Sequence, residues 1–239
     1  MEHLQPIPED WQRALAIVAH PDDLEYGASA AVAKWTTGGK QVAYLLATRG
    51  EAGIGAWPPE RTAAAREAEE RESARVVGVE TVEFLNHQDG TLESTLALRR
   101  DLARAIRHHR PEAIITASFE LAWPDGTLNQ ADHRAIGLAA CDGARDAGNR
   151  WIFPELLSEG LEPWNGLRWV FVQGVNSPTH ACDVGQAIEQ GVASLKAHRA
   201  YFENLESDFD VDAFLRQQAA HVGERFGCEY AVAFQVFKL

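Results

Sequence analysis

Short apolar runs alternate with longer amphipathic stretches along this chain up to about Arg150. Ala14–Ala19 (ALAIVA) is apolar throughout, as expected of a strand buried on both faces. Gly27–Trp35 reads as a helix that closes at the Gly38-Gly39 turn, and Gln41–Thr48 (QVAYLLAT) as a second strand. Glu60–Val77, rich in Ala, Arg and Glu at helical spacing, predicts a helix stopped by Gly78, a residue suited to the left-handed position past a helix end. Thr81–Leu85 then reads as a strand, Thr95–His108 as a helix ended by Pro111, and Glu112–Ala117 (EAIITA) as a strand. Asp132–Ala147 is a further helix, stopped at Gly148. This βαβα order predicts an α/β fold, a Rossmann-like, doubly wound and mostly parallel sheet with helices on both faces.

After Arg150 the rhythm changes. Trp151, Trp164 and Trp169 punctuate a stretch containing Gly and Pro, and Gly166–Val175 has strand character. Val184–Tyr201 and Asp210–Phe226 read as helices and Tyr230–Phe237 as a closing strand. A length of 239 residues admits one α/β domain or two small ones. No repeat or linker divides the chain, so residues 1–239 are read as one domain, with a core over about 1–150 and a C-terminal elaboration over about 151–239.

The chemistry concentrates where the first strand ends. His20, Asp22 and Asp23 follow Ala19 directly, and open α/β sheets place their sites at strand carboxyl ends. Pro21 fixes its own φ and disfavours helix at His20, so the chain turns sharply. His20 and Asp23 can close on one divalent ion while Asp22 stays available for proton transfer. The plainer alternative makes Asp22 or Asp23 an N-cap for a helix starting near Tyr26, but capping leaves His20 unexplained. Catalytic zinc commonly takes three protein ligands and keeps an open position. The third is sought in Asp132-His133-Arg134, at a helix start after the loop WPDGTLNQA. Alone, His133 would pass for a hydrogen-bonded residue of the first helical turn.

Other classes are weakened by composition. A dinucleotide site would need GxGxxG in the first strand-to-helix turn, where HPDDLEYG instead sets two carboxylates against a pyrophosphate. A formal charge of −13 argues against nucleic acid and against anionic membranes as partners. Cys141, Cys182 and Cys228 form no CxxC pair, which fits reduced, mostly buried thiols in a cytoplasmic protein. The N-terminus has no signal-peptide core and no apolar run reaches the length of a membrane span. His108 and His109 are expected in solvent at a helix end. His3, His180, His198 and His221 lack an acidic pattern and default to terminal, core or surface roles. His87 adjoins Gln88-Asp89-Gly90 past the third strand, where Asp89 is the stronger site candidate and a turn residue by default.

Taken together, AHPDDLE (Ala19–Glu25), TRGEAG (Thr48–Gly53), the helix from Arg66 to Gly78 running into NHQDG (Asn86–Gly90), and ADHRAIG (Ala131–Gly137) resemble the PIG-L/LmbE-like family of zinc-dependent N-deacetylases. The segments occur in family order and span about half the chain. AHPDD with a downstream DHRA helix start is the specific part. The resemblance implies that His20, Asp23 and His133 bind zinc, although nitrogen and oxygen ligands also admit Fe2+ or Co2+. It implies that Asp22 is the general base and that Glu51, Arg66 and Asp89 line a sugar pocket. Without the family, those three read as a loop charge, a helix-surface cation and a turn residue. Many members carry His three positions before the ligand His; here Gln130 stands there, able to donate a hydrogen bond to an oxyanion but not a proton. Asp132 either orients Gln130 or the metal shell, or caps the helix.

The expected activity is hydrolysis of an N-acyl (acetyl) group from an N-acylglucosamine-type glycoconjugate, a small-molecule partner; a homo-oligomer is compatible with the sequence. A metal-dependent phosphoesterase, with Arg49 and Arg66 as the phosphate clamps near the site, and a non-catalytic sugar-binding module are the alternatives.

Overall fold

The apolar runs read as strands all enter one eight-stranded sheet. The computed structural model describes residues 3–205 and 209–239. In chain order the elements are β1 (Gln5–Pro6), β2 (Arg13–Val18), α1 (Ser29–Thr37), β3 (Gln41–Leu46), α2 (Pro59–Val76), β4 (Thr81–Phe84), α3 (Leu96–His109) and β5 (Ala113–Ala117). Then follow α4 (Ala131–Asp146), α5 (Glu155–Ser158), β6 (Trp169–Gln173), β7 (His180–Asp183), α6 (Ile188–Leu195), α7 (Arg199–Glu203), α8 (Val211–Phe226) and β8 (Ala231–Lys238).

The strand order is β1-β7-β8-β6-β5-β2-β3-β4. β8 runs antiparallel between β6 and β7, and every other pairing is parallel. From β2 the chain first adds β3 and β4 on one side, then returns to lay β5 and β6 on the other. The crevice at the carboxyl ends of β2 and β5 is therefore the point where the winding reverses, which is where such sheets bind ligands.

β2 explains its own apolar run. Ala14, Ala16 and Val18 pack into the cluster containing Trp11, Trp35, Tyr44, Phe171 and Phe234, while Leu15, Ile17 and Ala19 pack against Leu98, Leu102, Ile114 and Ile136 on the opposite face. Trp11 and Trp35 meet edge to face with centroids 5.2 Å apart.

Several features depart from the expectation. β1 and β7 were not read as strands, and α5 was not read as a helix. The helix expected over Val184–Tyr201 is two, α6 and α7, interrupted before His198, whose side chain is fully buried. Of the cysteines, only Cys182 is buried; Cys141 and Cys228 are half-buried, and all three are free thiols. His109 is not simply solvated: its Nε2 lies 3.2 Å from Glu83 Oε1. Among the described residues, no helix is long and apolar enough to cross a membrane.

One glycine fixes how the helix bearing His133 docks. A Cβ on Gly137 of α4 would stand 2.3 Å from the Ala117 carbonyl oxygen at the end of β5. Neither partner is a flexible side-chain end, so Gly137→Ala must push α4 off the sheet. We expect it to cost about 1–3 kcal/mol, the usual range for overpacking, read as a fall in Tm.

Candidate active site

The turn after β2 is built by the chain's own polar groups. Asp23 Oδ2 accepts the backbone N–H groups of Ala19 and His20, each at 2.9 Å, and the side chain of Gln173, at the end of β6, donates to the Asp23 carbonyl at 2.7 Å. α1 begins only at Ser29, its N-cap is Ala28, and no side chain caps it. The capping explanation for the paired aspartates therefore fails.

Three donor atoms converge. His133 Nε2 lies 3.0 Å from Asp23 Oδ1 and 3.2 Å from His20 Nδ1, and His20 Nδ1 lies 3.6 Å from Asp23 Oδ1. Donors arranged tetrahedrally around a zinc-sized ion stand about 3.3 Å apart, so the set fits a divalent metal. The remaining ring nitrogens fit as well. His133 Nδ1 is 3.0 Å from Asn129 Oδ1, and His20 Nε2 is 3.0 Å from Asp89 Oδ1 and 3.3 Å from Asp132 Oδ2. Each imidazole thus places one N–H on an oxygen and turns its lone pair to the cluster, the arrangement that orients metal-binding histidines. Burial resists charge on both ligand types, yet their mutual attraction prevails: His133 and His20 hold Asp23 well below the ordinary carboxylate range, and Asp23, Asp132 and Asp89 hold His20 well above the ordinary imidazole value.

Asp22 stands apart from the ligand set. It is a buried, non-glycine residue at φ 91°, a strained backbone of the kind that collects at functional sites. Its N–H donates to Glu70 Oε2 at 3.2 Å, its carbonyl accepts from Tyr26 N at 3.1 Å, and Arg66 Nη2 donates to its Oδ2 at 2.8 Å. Burial raises its carboxyl to about 6, with Arg66 opposing the rise.

Arg66, Asp89, Glu51, Asp132 and Gln130 are the five residues whose roles the sequence leaves open. Arg66 is buried rather than on a helix surface. It donates to the carbonyls of Pro21 and Gly50 as well as to Asp22, and lies over the Tyr201 ring at 4.6 Å. Asp89 is likewise turned inward, with Oδ1 on His20 and Oδ2 accepting from Ala52 N at 2.8 Å. Both side chains are thus held by neighbouring protein groups, Arg66 through its two terminal nitrogens and Asp89 through both carboxylate oxygens. Glu51 borders a depression of about 330 Å³ that it lines with Arg49, Asn86, His87 and Gln88. Its Oε1 accepts from Asp89 N at 2.9 Å. Asp132 is not a helix cap: its oxygens take the N–H groups of Gly90 at 2.7 Å and Leu92 at 3.1 Å, tying the loop after β4 to His20. Gln130 is exposed at the N-cap position of α4, with no side-chain cap bond.

Asn129 was missed by sequence. It is buried, its Nδ2 donates to the carbonyls of Ser118 and Glu120, and its Oδ1 meets His133. The four-residue spacing from His133 was the available signal, hidden in a loop whose composition already explained an asparagine.

A doubly wound sheet with a His-Asp-His donor set at its switch point, and a strained carboxylate in the same turn, defines a metallohydrolase type of centre. The chain belongs to the PIG-L family, whose model, described as GlcNAc-PI de-N-acetylase, matches residues 15–143. It is 27% identical over 225 residues to diacetylchitobiose deacetylase of Thermococcus kodakarensis, covering 93% of this chain and 82% of that protein. It is 30% identical over 178 residues to 1D-myo-inositol 2-acetamido-2-deoxy-alpha-D-glucopyranoside deacetylase of Kineococcus radiotolerans, covering 57% of this chain and 48% of the relative. The solved structure of N,N'-diacetylchitobiose deacetylase from Pyrococcus horikoshii with its inhibitor superposes with a TM-score of 0.85 at 26% identity, covering 96% of this chain and 85% of that one.

Proposed function

We propose that this chain is a zinc-dependent N-deacetylase that removes the acetyl group from a small N-acetylglucosamine-type glycoconjugate. The carrying observation is the convergence of His20 Nδ1, Asp23 Oδ1 and His133 Nε2 with Asp22 beside them and outside the ligand set. The names of the relatives, each a deacetylase of an acetylated amino sugar, support the substrate class.

A zinc ion held by His20, Asp23 and His133 would lower the pKa of a water and polarise the amide carbonyl. Asp22 takes the proton of the attacking water, and its carboxyl, lifted by burial to about 6, suits a group that accepts and then returns a proton near neutrality. Arg66 fixes the carboxylate that performs this transfer. Asp89, Asp132 and Asn129 hold the two imidazoles in the tautomers that direct lone pairs inward. Gln130 donates its amide N–H to the developing oxyanion, and the leaving nitrogen receives the proton from Asp22. Glu51, on the adjoining depression, meets the sugar. The phosphoester alternative loses support because Arg66 is engaged with Asp22, Pro21 and Gly50, and Arg49 with Glu67, Leu85 and Asn86.

The test pairs metal analysis with release of primary amine from a panel of N-acetylated mono- and disaccharides. Amine release that needs the metal is expected; phosphate release from p-nitrophenyl phosphate with no amine from any sugar would overturn the reading. Gln130→Ala should lower kcat by up to ~10²–10³, the range for deleting one oxyanion donor, and leave the shape of the pH profile unchanged. Gln130→His should add or shift a limb near ~6.5. A silent Gln130→Ala together with an unchanged Gln130→His profile removes this side chain from the mechanism.

A further inference from the structure

Behind Asp22, away from the His20, Asp23 and His133 donors, lies a second group of ionisable side chains that the proposed reaction does not use. Glu25 ends the AHPDDLE turn, Glu70 sits on α2, and His198 stands at the N-cap of α7; all three are buried. His198 Nε2 is 3.8 Å from Glu25 Oε2 and 3.8 Å from Glu70 Oε2. Ser73 Oγ donates to Glu25 Oε1 at 2.6 Å, and Asp22 N donates to Glu70 Oε2 at 3.2 Å. Glu25 Oε2, Glu70 Oε1 and both ring nitrogens of His198 are buried without a hydrogen-bond partner. Buried polar atoms are ordinarily satisfied, so Glu25 Oε2, Glu70 Oε1 and His198 Nε2, bare in one cluster, call for an occupant. We propose that Glu25, Glu70 and His198 form a second divalent-cation site, of the zinc class, which staples the catalytic turn to α2 and to the start of α7.

Charge and donor chemistry select the ion. Burial pushes the Glu25 carboxyl up to about 7 and the Glu70 carboxyl well above the ordinary range, so holding the pair ionised takes a counter-charge. The neighbouring guanidinium, Arg66, is already engaged with Asp22. A dication would balance Glu25 and Glu70 while His198 stays neutral and supplies a lone pair. An imidazole among the donors favours zinc or a related transition ion over calcium or magnesium, which prefer all-oxygen sites. At 3.8 Å from His198 Nε2 the two carboxylate oxygens stand wider than the ~3.3 Å of a tetrahedral zinc shell, so the ion draws the three side chains together by a few tenths of an ångström. The site differs in role from the first. It is sealed from solvent, as structural zinc sites are, and it meets Asp22 through the hydrogen bond from the Asp22 N–H to Glu70 Oε2.

The experiment counts ions. Metal-free protein is saturated with zinc, freed of excess by desalting, and analysed for zinc per chain. Wild type is expected to hold two, His198→Ala one, His20→Ala one, and the double variant none. Adding zinc to metal-free His20→Ala should raise its Tm by several degrees, and the double variant should not respond. Wild-type protein that holds a single ion, or a His198→Ala protein that holds as many as wild type, overturns the second site. If His198→Ala does not fold, the zinc response of His20→Ala decides, and no rise in Tm is the overturning result. Failure of the deacetylase reading would show separately, as absent amine release from protein that holds both ions.

Discussion

Asp22→Asn is expected to leave metal content and Tm close to wild type while kcat falls by about 10²–10⁴, the usual cost of a missing general base. The substitution keeps the size and planarity of the side chain, and Asp22 contributes no atom to the ligand cluster, so the ion should remain. What is lost is the acceptor for the water proton. The pH dependence gives a second, independent reading. Burial raises the Asp22 carboxyl to about 6, so the base is disabled as pH falls through that value. A bound dication beside it pulls the value downward, which sets the acid limb of kcat/KM at or below about pH 6. In the Asp22→Asn enzyme the residual rate should lose that limb. Near-normal kcat in the variant would show that Asp22 is only a strained turn residue.

The strain itself bears on this result. A non-glycine residue at φ 91° costs on the order of 1–3 kcal/mol and persists only where the surroundings hold it. Here Glu70 holds the Asp22 N–H, Tyr26 N holds its carbonyl, and Arg66 holds its carboxylate. Asp22→Gly would relieve the backbone and remove the carboxylate together. Stability equal to or above wild type with activity lost would show that the turn stores strain for the sake of the side chain.

How much of this was legible in the sequence follows from the range of the interactions. β2 could be read because both its faces are buried and its side chains are apolar without interruption; the turn after it, because His, Pro and two Asp residues have no common structural explanation. β1 is two residues long, too short for any periodicity, and its Pro6 is tolerated because the strand lies at the sheet edge, while β7 (HACD) sets only Ala181 and Cys182 between two polar ends. The single helix expected over Val184–Tyr201 failed at His198, whose burial against Glu25 and Glu70 depends on partners over a hundred residues away. Arg66, Asp89 and Asp132 are legible as candidates, and Asp132 also as an orienter of the metal shell, its Oδ2 lying 3.3 Å from His20 Nε2. A charged residue in a sequence is taken to face solvent or substrate, and only the positions of Asp22, His20 and the 90–92 backbone show these three turned inward.

His133→Ala should abolish both the site ion and the deacetylase activity, and its comparison with Asn129→Ala separates ligation from orientation. Removing His133 leaves Asp23 and His20 as the only donors of the set, and two ligands in a partly open site cannot compete with water for the ion at ordinary concentrations. Activity should fall to that of metal-free protein and should not return with added zinc. Asn129→Ala keeps all three donors but frees His133 Nδ1 from its oxygen partner. The ring can then adopt the tautomer that presents an N–H toward the ion, and loss of such a partner typically weakens metal affinity by 10–100-fold. Asn129→Ala should therefore lose its ion under mild chelation and regain activity when zinc is restored. Because Asn129 Nδ2 also ties the loop to Ser118 and Glu120, a modest loss of Tm is expected as well. If zinc rescues His133→Ala as readily as Asn129→Ala, His133 is not a ligand, and the third donor must be one of the carboxylates around His20, Asp89 or Asp132, which form with it the neighbouring donor group.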